Sequence, residues 1–310
     1  MVQAPQFNWR FLLPNYWLLW LGAALLWLIS WLPYSILMWL GQSFGRLLYR
    51  TLKSRAKVAR RNIELCFPDM PAGQRENLVK RNFEETGKAL FDTVIGWWWP
   101  NWRIKKLAHF AGYQHIQAAL AEGKGVLLLA AHFLHLEAAG RVFGLTHPSV
   151  GFYRPHNNPL MDYLQYHGRN RSNKYMIGKR DVKGLIAALN QQEVCFYLPD
   201  QDYGRNRAEF VPFFAVPDAA TTTGTLLFAN AANCVVLPII TSRLAHGKGY
   251  QVEILPRFDP FPTGDNKADV STVNNWVEQA VLKHPEQYMW LHRRFKTRPD
   301  ANAPSLYKGG

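Results

Sequence analysis

The sequence has few cysteines and fewer acidic than basic residues. The first feature argues against some classes of protein, and the second indicates the kind of partner to expect. Its 310 residues include three cysteines, Cys66, Cys195 and Cys234, without the spacing of a metal site or a disulfide framework. This pattern argues against a secreted disulfide scaffold and suits a reducing compartment. The chain has 22 acidic residues against 36 lysines and arginines, a formal net charge of +14. We therefore expect an anionic partner, such as nucleic acid, anionic lipid or a phosphorylated substrate.

Charge is absent from a long N-terminal stretch. No charged residue lies between Arg10 and Arg46, and within this gap Tyr16 to Leu32 is almost entirely apolar. The run approaches the roughly 20 residues that cross a bilayer, and tryptophans lie near both of its ends. We predict an N-terminal membrane anchor over residues 1–45. Whether residues 11–41 span the bilayer or form a re-entrant hairpin stays open at this point.

The segment after this stretch is strongly basic. Residues 46–61 carry seven cations and no acid, and apolar residues recur there every three or four positions. A basic amphipathic helix beside an apolar stretch is typical of a surface held against anionic headgroups. The positive-inside rule places this flank on the cytoplasmic side. We therefore expect residues 46–310 to form a cytoplasmic domain that includes this membrane-facing helix, with an ordinary solvated helix as the alternative.

Short apolar strands alternate with helices from about residue 110. The predicted strands are Gly125–Ala131, Val150–Tyr153, Glu193–Leu198, Val235–Thr241 and Tyr250–Leu255. The predicted helices begin at about residue 135 and cover Asn158–Asn170, Val182–Asn190, Thr222–Ala232 and Val270–Lys283. This order predicts an α/β fold with a mostly parallel central sheet flanked by helices, preceded by the N-terminal membrane-anchoring helix.

His132 and Glu137 form the most informative pair in the sequence. The strand Gly125–Ala131 leads directly to His132, at the sheet edge where α/β folds expose their chemistry. A carboxylate in the next helix can hold the imidazole in one tautomer and make it a stronger base toward a hydroxyl group. By itself the spacing is a weak signal, because a structural pair explains it equally well. With His135, the two residues do not have the spacing of a zinc protease helix, so we predict no metal site.

Polar residues also follow the neighbouring predicted strands. Arg154 comes directly after Val150–Tyr153, where a guanidinium can bind a phosphate or carboxylate with two hydrogen bonds. The phenylalanine-rich segment Phe210–Phe214 either lines an acyl-chain groove or belongs to the core. Asp200 and Asp202 follow the end of the predicted strand Glu193–Leu198, and the further polar candidates Arg169 and Arg171 lie on or after the helix Asn158–Asn170.

Together, these blocks resemble the lysophospholipid acyltransferase superfamily, and within it the lauroyl-type branch of the Kdo-dependent lipid A secondary acyltransferases. The resemblance covers nearly the whole chain. Its motifs are the box from His132 to Glu137, Tyr153-Arg154-Pro155 with Asn158-Pro159-Leu160, Asp200 to Gly204, Phe210-Val211-Pro212, and Pro285 to Arg298.

The resemblance implies that a fatty acyl chain, lauroyl in this branch, moves from acyl carrier protein to a hydroxyl of the Kdo-bearing lipid A precursor. His132 would be the general base, and Glu137 would orient it and stabilise its charged form. We expect substitution of either by alanine to abolish transfer. The implied substrate-binding residues are Arg154, Asn158, Arg169, Arg171, Asp200 and Asp202.

The implied location is the bacterial inner membrane, with the catalytic domain on its cytoplasmic face and with no cofactor, metal or nucleic acid. One alternative is the same chemistry with a myristoyl or palmitoleoyl donor or with a lysophospholipid acceptor. Another is a membrane-tethered binding protein without catalysis, in which His132 and Glu137 are core residues.

Overall fold

A seven-stranded sheet forms the centre of the protein in the computed structural model, which describes residues 1–307. Two further strands, β6 and β7, pair separately as an antiparallel hairpin. In chain order the strands are β1 (Ala108–Ala111), β2 (Gly125–Leu129), β3 (Ser149–Tyr153), β4 (Asn173–Gly178), β5 (Val194–Tyr197), β6 (Ala208–Phe213), β7 (Val216–Thr222), β8 (Cys234–Arg243) and β9 (Tyr250–Ile254).

Helices cover both faces of this sheet and form the N-terminal region. Two short 3₁₀ turns, Trp9–Leu12 and Pro14–Tyr16, precede the first helix. The α-helices are α1 (Trp17–Ser30), α2 (Tyr34–Thr51), α3 (Lys53–Cys66), α4 (Ala72–Trp98), α5 (Asn101–Lys105), α6 (Tyr113–Ala121), α7 (Leu136–Thr146), α8 (Pro159–Asn170), α9 (Val182–Asn190), α10 (Gly224–Ala231) and α11 (Asn266–Lys283).

The central sheet is mostly parallel, as predicted. Its strand order is β1-β9-β8-β2-β5-β3-β4, and every neighbouring pair is parallel except β8 with β9. β2 lies near the middle and all five of its residues are buried, because a parallel strand covered on both faces is apolar throughout. The α/β fold class is therefore confirmed. The sequence pattern did not predict β1, β4, α5, α6 or the β6–β7 hairpin.

α2 packs closely on α4 because glycines meet at their interface. A side chain on Gly45 would overlap the backbone of Phe83, and one on Gly87 would overlap the backbone of Gly41. This contact buries one face of α2 and leaves an opposite face that is both exposed and apolar. The exposed apolar residues of α2 are Ile36, Trp39, Phe44 and Leu47.

The predicted division of the chain at residue 45 falls inside α2, which continues to Thr51. The division into residues 1–45 and 46–310 stays a prediction, and its last three residues lie outside the described part of the chain. Within residues 1–307, no helix combines the length and the apolar character that crossing a membrane requires. The predicted anchor is therefore not confirmed.

Candidate active site

The candidate active site begins where two neighbouring parallel strands end. β2 pairs with β5 so that Leu129 lies opposite Tyr197. His132 and Asp200 each follow three residues after this pair, so the register itself places them side by side. This position is the carboxyl edge of the sheet, where α/β proteins bind their ligands.

Asp200 holds His132 through two hydrogen bonds. His132 Nδ1 lies 2.6 Å from Asp200 Oδ1, and the backbone N–H of His132 donates to Asp200 Oδ2 at 2.8 Å. Burial alone would raise the pKa of the Asp200 carboxyl, but attraction to the His132 ring and the hydrogen bonds from His132 outweigh burial and lower it. An ionised Asp200 accepts the Nδ1 proton. Nε2, which has no hydrogen-bond partner within residues 1–307, is then left free to act as a base.

The C-terminal segment fixes the loop that carries His132. Met289 donates its backbone N–H to the carbonyl of His132 at 3.0 Å, and Leu134 donates its own to the carbonyl of Gln287 at 2.9 Å. Asn82 of α4 donates in turn to the carbonyl of Tyr288 at 2.7 Å. The motif from Pro285 to Arg298 therefore supports the loop that carries His132 through its backbone.

Glu137 does not make the contact with His132 that its spacing predicts. It lies in the first turn of α7, where Arg169 Nε donates to Oε1 at 2.9 Å and Trp97 Nε1 donates to Oε2 at 2.9 Å. The expectation that Glu137 orients the imidazole is corrected here, because Asp200 occupies that position. The Glu137 carboxylate points away from the loop that carries His132, because the Arg169 guanidinium and the Trp97 indole N–H bind it from the other side.

Glu137, Arg169 and Trp97 form a compact polar cluster. Burial alone would lower the pKa of Arg169, but the Glu137 carboxylate more than offsets this and raises it. Arg169 therefore stays charged. Gly168 packs directly on the Trp97 ring, where a side chain would overlap the indole. Trp97 belongs to the run Trp97-Trp98-Trp99, and nothing in its spacing points to a carboxylate partner.

An apolar cavity of about 160 Å³ reaches the same strand ends, although neither His132 nor Asp200 lines it. Ala130 and Leu198, each two residues before His132 or Asp200, line it. Glu137 and Arg169 are among the few charged groups on its wall. The rest of the lining is largely apolar and includes Trp97, Leu136, Phe152, Met176, Phe196 and Ile239.

The other predicted site residues separate into exposed and structural positions. Arg154 lies exposed directly after β3, and no side-chain hydrogen bond or ion pair engages its guanidinium within residues 1–307. Asn158 caps α8 by accepting from the backbone of Leu160 and Met161. Arg171 donates to the carbonyl of Trp97 at 2.7 Å.

Asp202 and the phenylalanine-rich segment lie apart from His132. Asp202 is buried and accepts from the backbone N–H and the hydroxyl of Thr297, both at 2.8 Å. Residues 210–213 form most of β6, and Phe213 is fully buried in the core. This segment does not line the cavity. The burial of Phe213 agrees with the interpretation of the segment as core, and an acyl-groove role stays a prediction.

His135 is part of the core rather than of the site. It is fully buried and its Nε2 lies 3.0 Å from the hydroxyl of Thr241. Burial lowers the pKa of His135 to about 3, so its ring is neutral at physiological pH. In residues 1–307, no three histidine, cysteine or acidic side chains are grouped as a metal site would need.

Known proteins similar to this chain act in lipid A biosynthesis. The chain is 46% identical to the lipid A biosynthesis lauroyltransferase of Escherichia coli K12, covering 99% of this chain and 100% of that protein. It is also 46% identical to a lipid A biosynthesis acyltransferase of Haemophilus influenzae, with 98% of both chains covered. The lipid A biosynthesis palmitoleoyltransferase of E. coli K12 is 42% identical over 97% of this chain and 98% of its own length.

The family model for bacterial lipid A biosynthesis acyltransferases matches residues 4–297. This match includes the ends of β2 and β5, the Glu137 cluster and almost all of the C-terminal segment that fixes the loop carrying His132. The chain therefore belongs to the bacterial lipid A biosynthesis acyltransferase family.

Proposed function

We propose that this acyltransferase moves a fatty acyl chain from the thioester of acyl carrier protein to a hydroxyl of the Kdo-bearing lipid A precursor. The observation that carries the proposal is the buried Asp200 held on Nδ1 of His132, which leaves Nε2 free as a base. An alcohol is a poor nucleophile until its proton has an acceptor. Lauroyl is the proposed chain, since the lauroyltransferase is among the similar proteins at 46% identity.

The proposed reaction is a direct transfer. The hydroxyl proton of the acceptor moves to His132 Nε2 while the hydroxyl oxygen attacks the thioester carbonyl. When the carbon–sulfur bond breaks, the imidazolium returns the proton to the departing thiolate. The products are an ester on the lipid and a free thiol on the carrier protein, and the imidazole is neutral again. Asp200 stabilises the imidazolium that forms between these steps.

We place the acyl chain in the apolar cavity at the ends of β2 and β5. Its wall is mostly apolar, and Ala130 and Leu198 on that wall belong to the strand ends that lead to His132 and Asp200. Glu137 keeps Arg169 in place at this wall as a positioning residue. Arg154, exposed directly after β3 without an ion-pair partner in residues 1–307, is the proposed contact for a phosphate or carboxylate of the acceptor.

We propose that α1 and the exposed face of α2 attach the protein to the cytoplasmic face of the inner membrane. Large apolar side chains there face outward, where the surface of a soluble protein would be polar. The exposed residues on α1 include Trp17, Leu18, Leu21, Leu25 and Leu28. α3 follows directly and exposes Lys53, Arg55 and Lys57, a basic surface suited to anionic headgroups.

The test is transfer by the purified full-length protein in detergent, from lauroyl acyl carrier protein to the Kdo-bearing precursor. We expect His132→Ala to abolish transfer with little change in the thermal unfolding midpoint. The matched control is His109→Ala, an exposed histidine on β1, which should retain transfer. Near-normal transfer by His132→Ala would refute the mechanism. Equal use of lysophosphatidic acid would refute the acceptor, and preference for a longer acyl chain would refute lauroyl.

A further inference from the structure

A second cleft, of about 490 Å³, lies between α2, α4 and the segments that follow β8 and α11. It shares no lining residue with the apolar cavity at the ends of β2 and β5. The second cleft adjoins the loop that carries His132, because Gln287 lines the cleft and its carbonyl accepts from Leu134. The proposed transfer reaction assigns no role to this cleft.

Two buried polar atoms in the lining of the cleft have no partner within residues 1–307. They are the hydroxyl of Tyr34, a residue 8% exposed, and Nε of Arg243, a residue 5% exposed. The terminal nitrogens of Arg243 already bind Glu85 and Asp92, so Nε is its one nitrogen without a partner among residues 1–307. A buried donor without an acceptor is unfavourable, and an acceptor bound in the cleft would satisfy both atoms.

The cleft offers hydrogen-bond donors rather than acceptors. Its carboxylates are committed, since Glu85 binds both Lys88 and Arg243, and Glu286 binds Arg81. The lining side chains that still have an unused N–H or O–H group include Tyr34, Lys88, Arg243, His246 and His284, whereas Gln42 already donates to Glu84. A ligand rich in acceptor oxygens and negatively charged suits this lining, and a phosphate group has both properties.

The rim of the cleft points to a lipid as the source of the phosphate. Trp39 lines the cleft, is 63% exposed, and belongs to the exposed apolar face of α2. Tryptophan in such a position is typical of the membrane–water interface, at the depth of lipid headgroups. We propose that this cleft binds the phosphate of a membrane lipid headgroup, separately from the acyl-transfer site. The assignment of the phosphate to a lipid rests on the proposed attachment of α1 and α2 to the membrane.

The test measures binding by the full-length protein in neutral detergent, without acyl donor. Short-chain phosphatidylglycerol is expected to raise the thermal unfolding midpoint, and dihexanoylglycerol, which lacks the phosphate, to leave it unchanged. Tyr34→Phe removes a hydroxyl that has no protein partner, so the ligand-free midpoint should match wild type. Its affinity for phosphatidylglycerol should fall about tenfold, as for a hydrogen bond to a charged group.

Lys88→Gln tests the charge of the cleft. The matched control is Lys174→Gln, since Lys174–Glu193 and Lys88–Glu85 are both ion pairs of 2.6 Å. Binding should weaken in Lys88→Gln and stay at the wild-type level in Lys174→Gln. Unchanged affinity in both Tyr34→Phe and Lys88→Gln overturns the proposed site.

Inorganic phosphate distinguishes the source of the ligand. Stabilisation by inorganic phosphate equal to that by phosphatidylglycerol overturns the lipid assignment and leaves a free-phosphate site. Because no acyl donor is present, failure of this site is distinguishable from failure of the transfer mechanism, which His132→Ala tests independently.

Discussion

Replacing Asp200 by asparagine tests the catalytic geometry with a change of one functional group. Asp200 accepts from two donors of His132, the ring Nδ1 at 2.6 Å and the backbone N–H at 2.8 Å. Asparagine has one acceptor oxygen and one NH₂ group, so it satisfies only one of these donors. If its oxygen keeps the backbone N–H, its NH₂ faces Nδ1 and the ring proton moves to Nε2. In that tautomer His132 is no longer a base toward the substrate hydroxyl.

The expected loss follows from two contributions. Restoring the useful tautomer leaves the backbone N–H without an acceptor, which costs about 1–3 kcal/mol. The neutral amide also loses the charge-assisted hydrogen bond to the imidazolium, about 1.5–3 kcal/mol. Together these give about 3–6 kcal/mol, or a fall in kcat of about 10²- to 10⁴-fold. The equivalent change in a Ser-His-Asp triad lowers kcat by about 10⁴-fold.

The assay is the rate of acyl transfer at saturating lauroyl acyl carrier protein, measured across a range of pH. Asp202→Asn is the matched control, because Asp202 is also buried but binds Thr297 and Gly204 instead of His132. Both variants should remain folded by thermal unfolding. A kcat for Asp200→Asn within about threefold of wild type would refute the role of Asp200, as would an equal loss in Asp202→Asn.

Four further predictions follow from particular contacts. Glu137→Gln lowers kcat without moving the pH profile of transfer, since Glu137 does not bind the histidine; a shifted profile contradicts this. Arg154→Ala raises KM for the phosphorylated acceptor more than KM for acyl carrier protein, and an equal loss with a dephosphorylated acceptor refutes the assignment. Burial lowers the pKa of His135 to about 3 from 6.5, so between these pH values the unfolded chain binds a proton that the folded chain does not. Stability falls by about 1.4 kcal/mol per pH unit on acidification. Denaturant titrations should show a flatter pH dependence for His135→Gln, and an unchanged slope contradicts it. Gly87→Ala pushes α2 away from α4 and lowers the free energy of unfolding by about 1–3 kcal/mol. Gly73 has open space around it, so Gly73→Ala should leave the thermal unfolding midpoint nearly unchanged. Equal midpoints for the two variants refute the packing argument.

The fold was largely predictable because its elements have clear local signals. The five apolar residues of β2 and the caps of α8, α9 and α11 are readable from the sequence. The missed elements lack such signals. β1 is only four residues long, with alternating partial burial, and the β6–β7 hairpin is rich in phenylalanine and proline, a composition that also suits a loop.

The candidate site was only partly predictable, because its decisive contact depends on strand order. His132 was identified from its place at the end of β2. Asp200 was predicted as a substrate-binding residue and not as the partner of His132, because β5 reaches the side of β2 only after β3 and β4 have been placed further out in the sheet. A spacing of five residues draws attention to Glu137, whereas the register between β2 and β5 selects a residue 68 positions away.

The electrostatics of the two carboxylates explain why the distant residue is the better partner for a base. Glu137 already has a permanent counter-charge in Arg169 and a further donor in Trp97. A proton arriving on His132 would therefore add little to the stabilisation of the Glu137 carboxylate. Asp200 is 1% exposed, and within residues 1–307 no lysine or arginine forms an ion pair with it. Its strongest compensating partner is the His132 ring. When the ring takes the proton of the acceptor hydroxyl, it becomes the counter-ion that the buried carboxylate lacks, and their attraction increases in a poorly screened environment. The stabilisation is therefore greatest at the stage of the reaction where positive charge appears on the histidine.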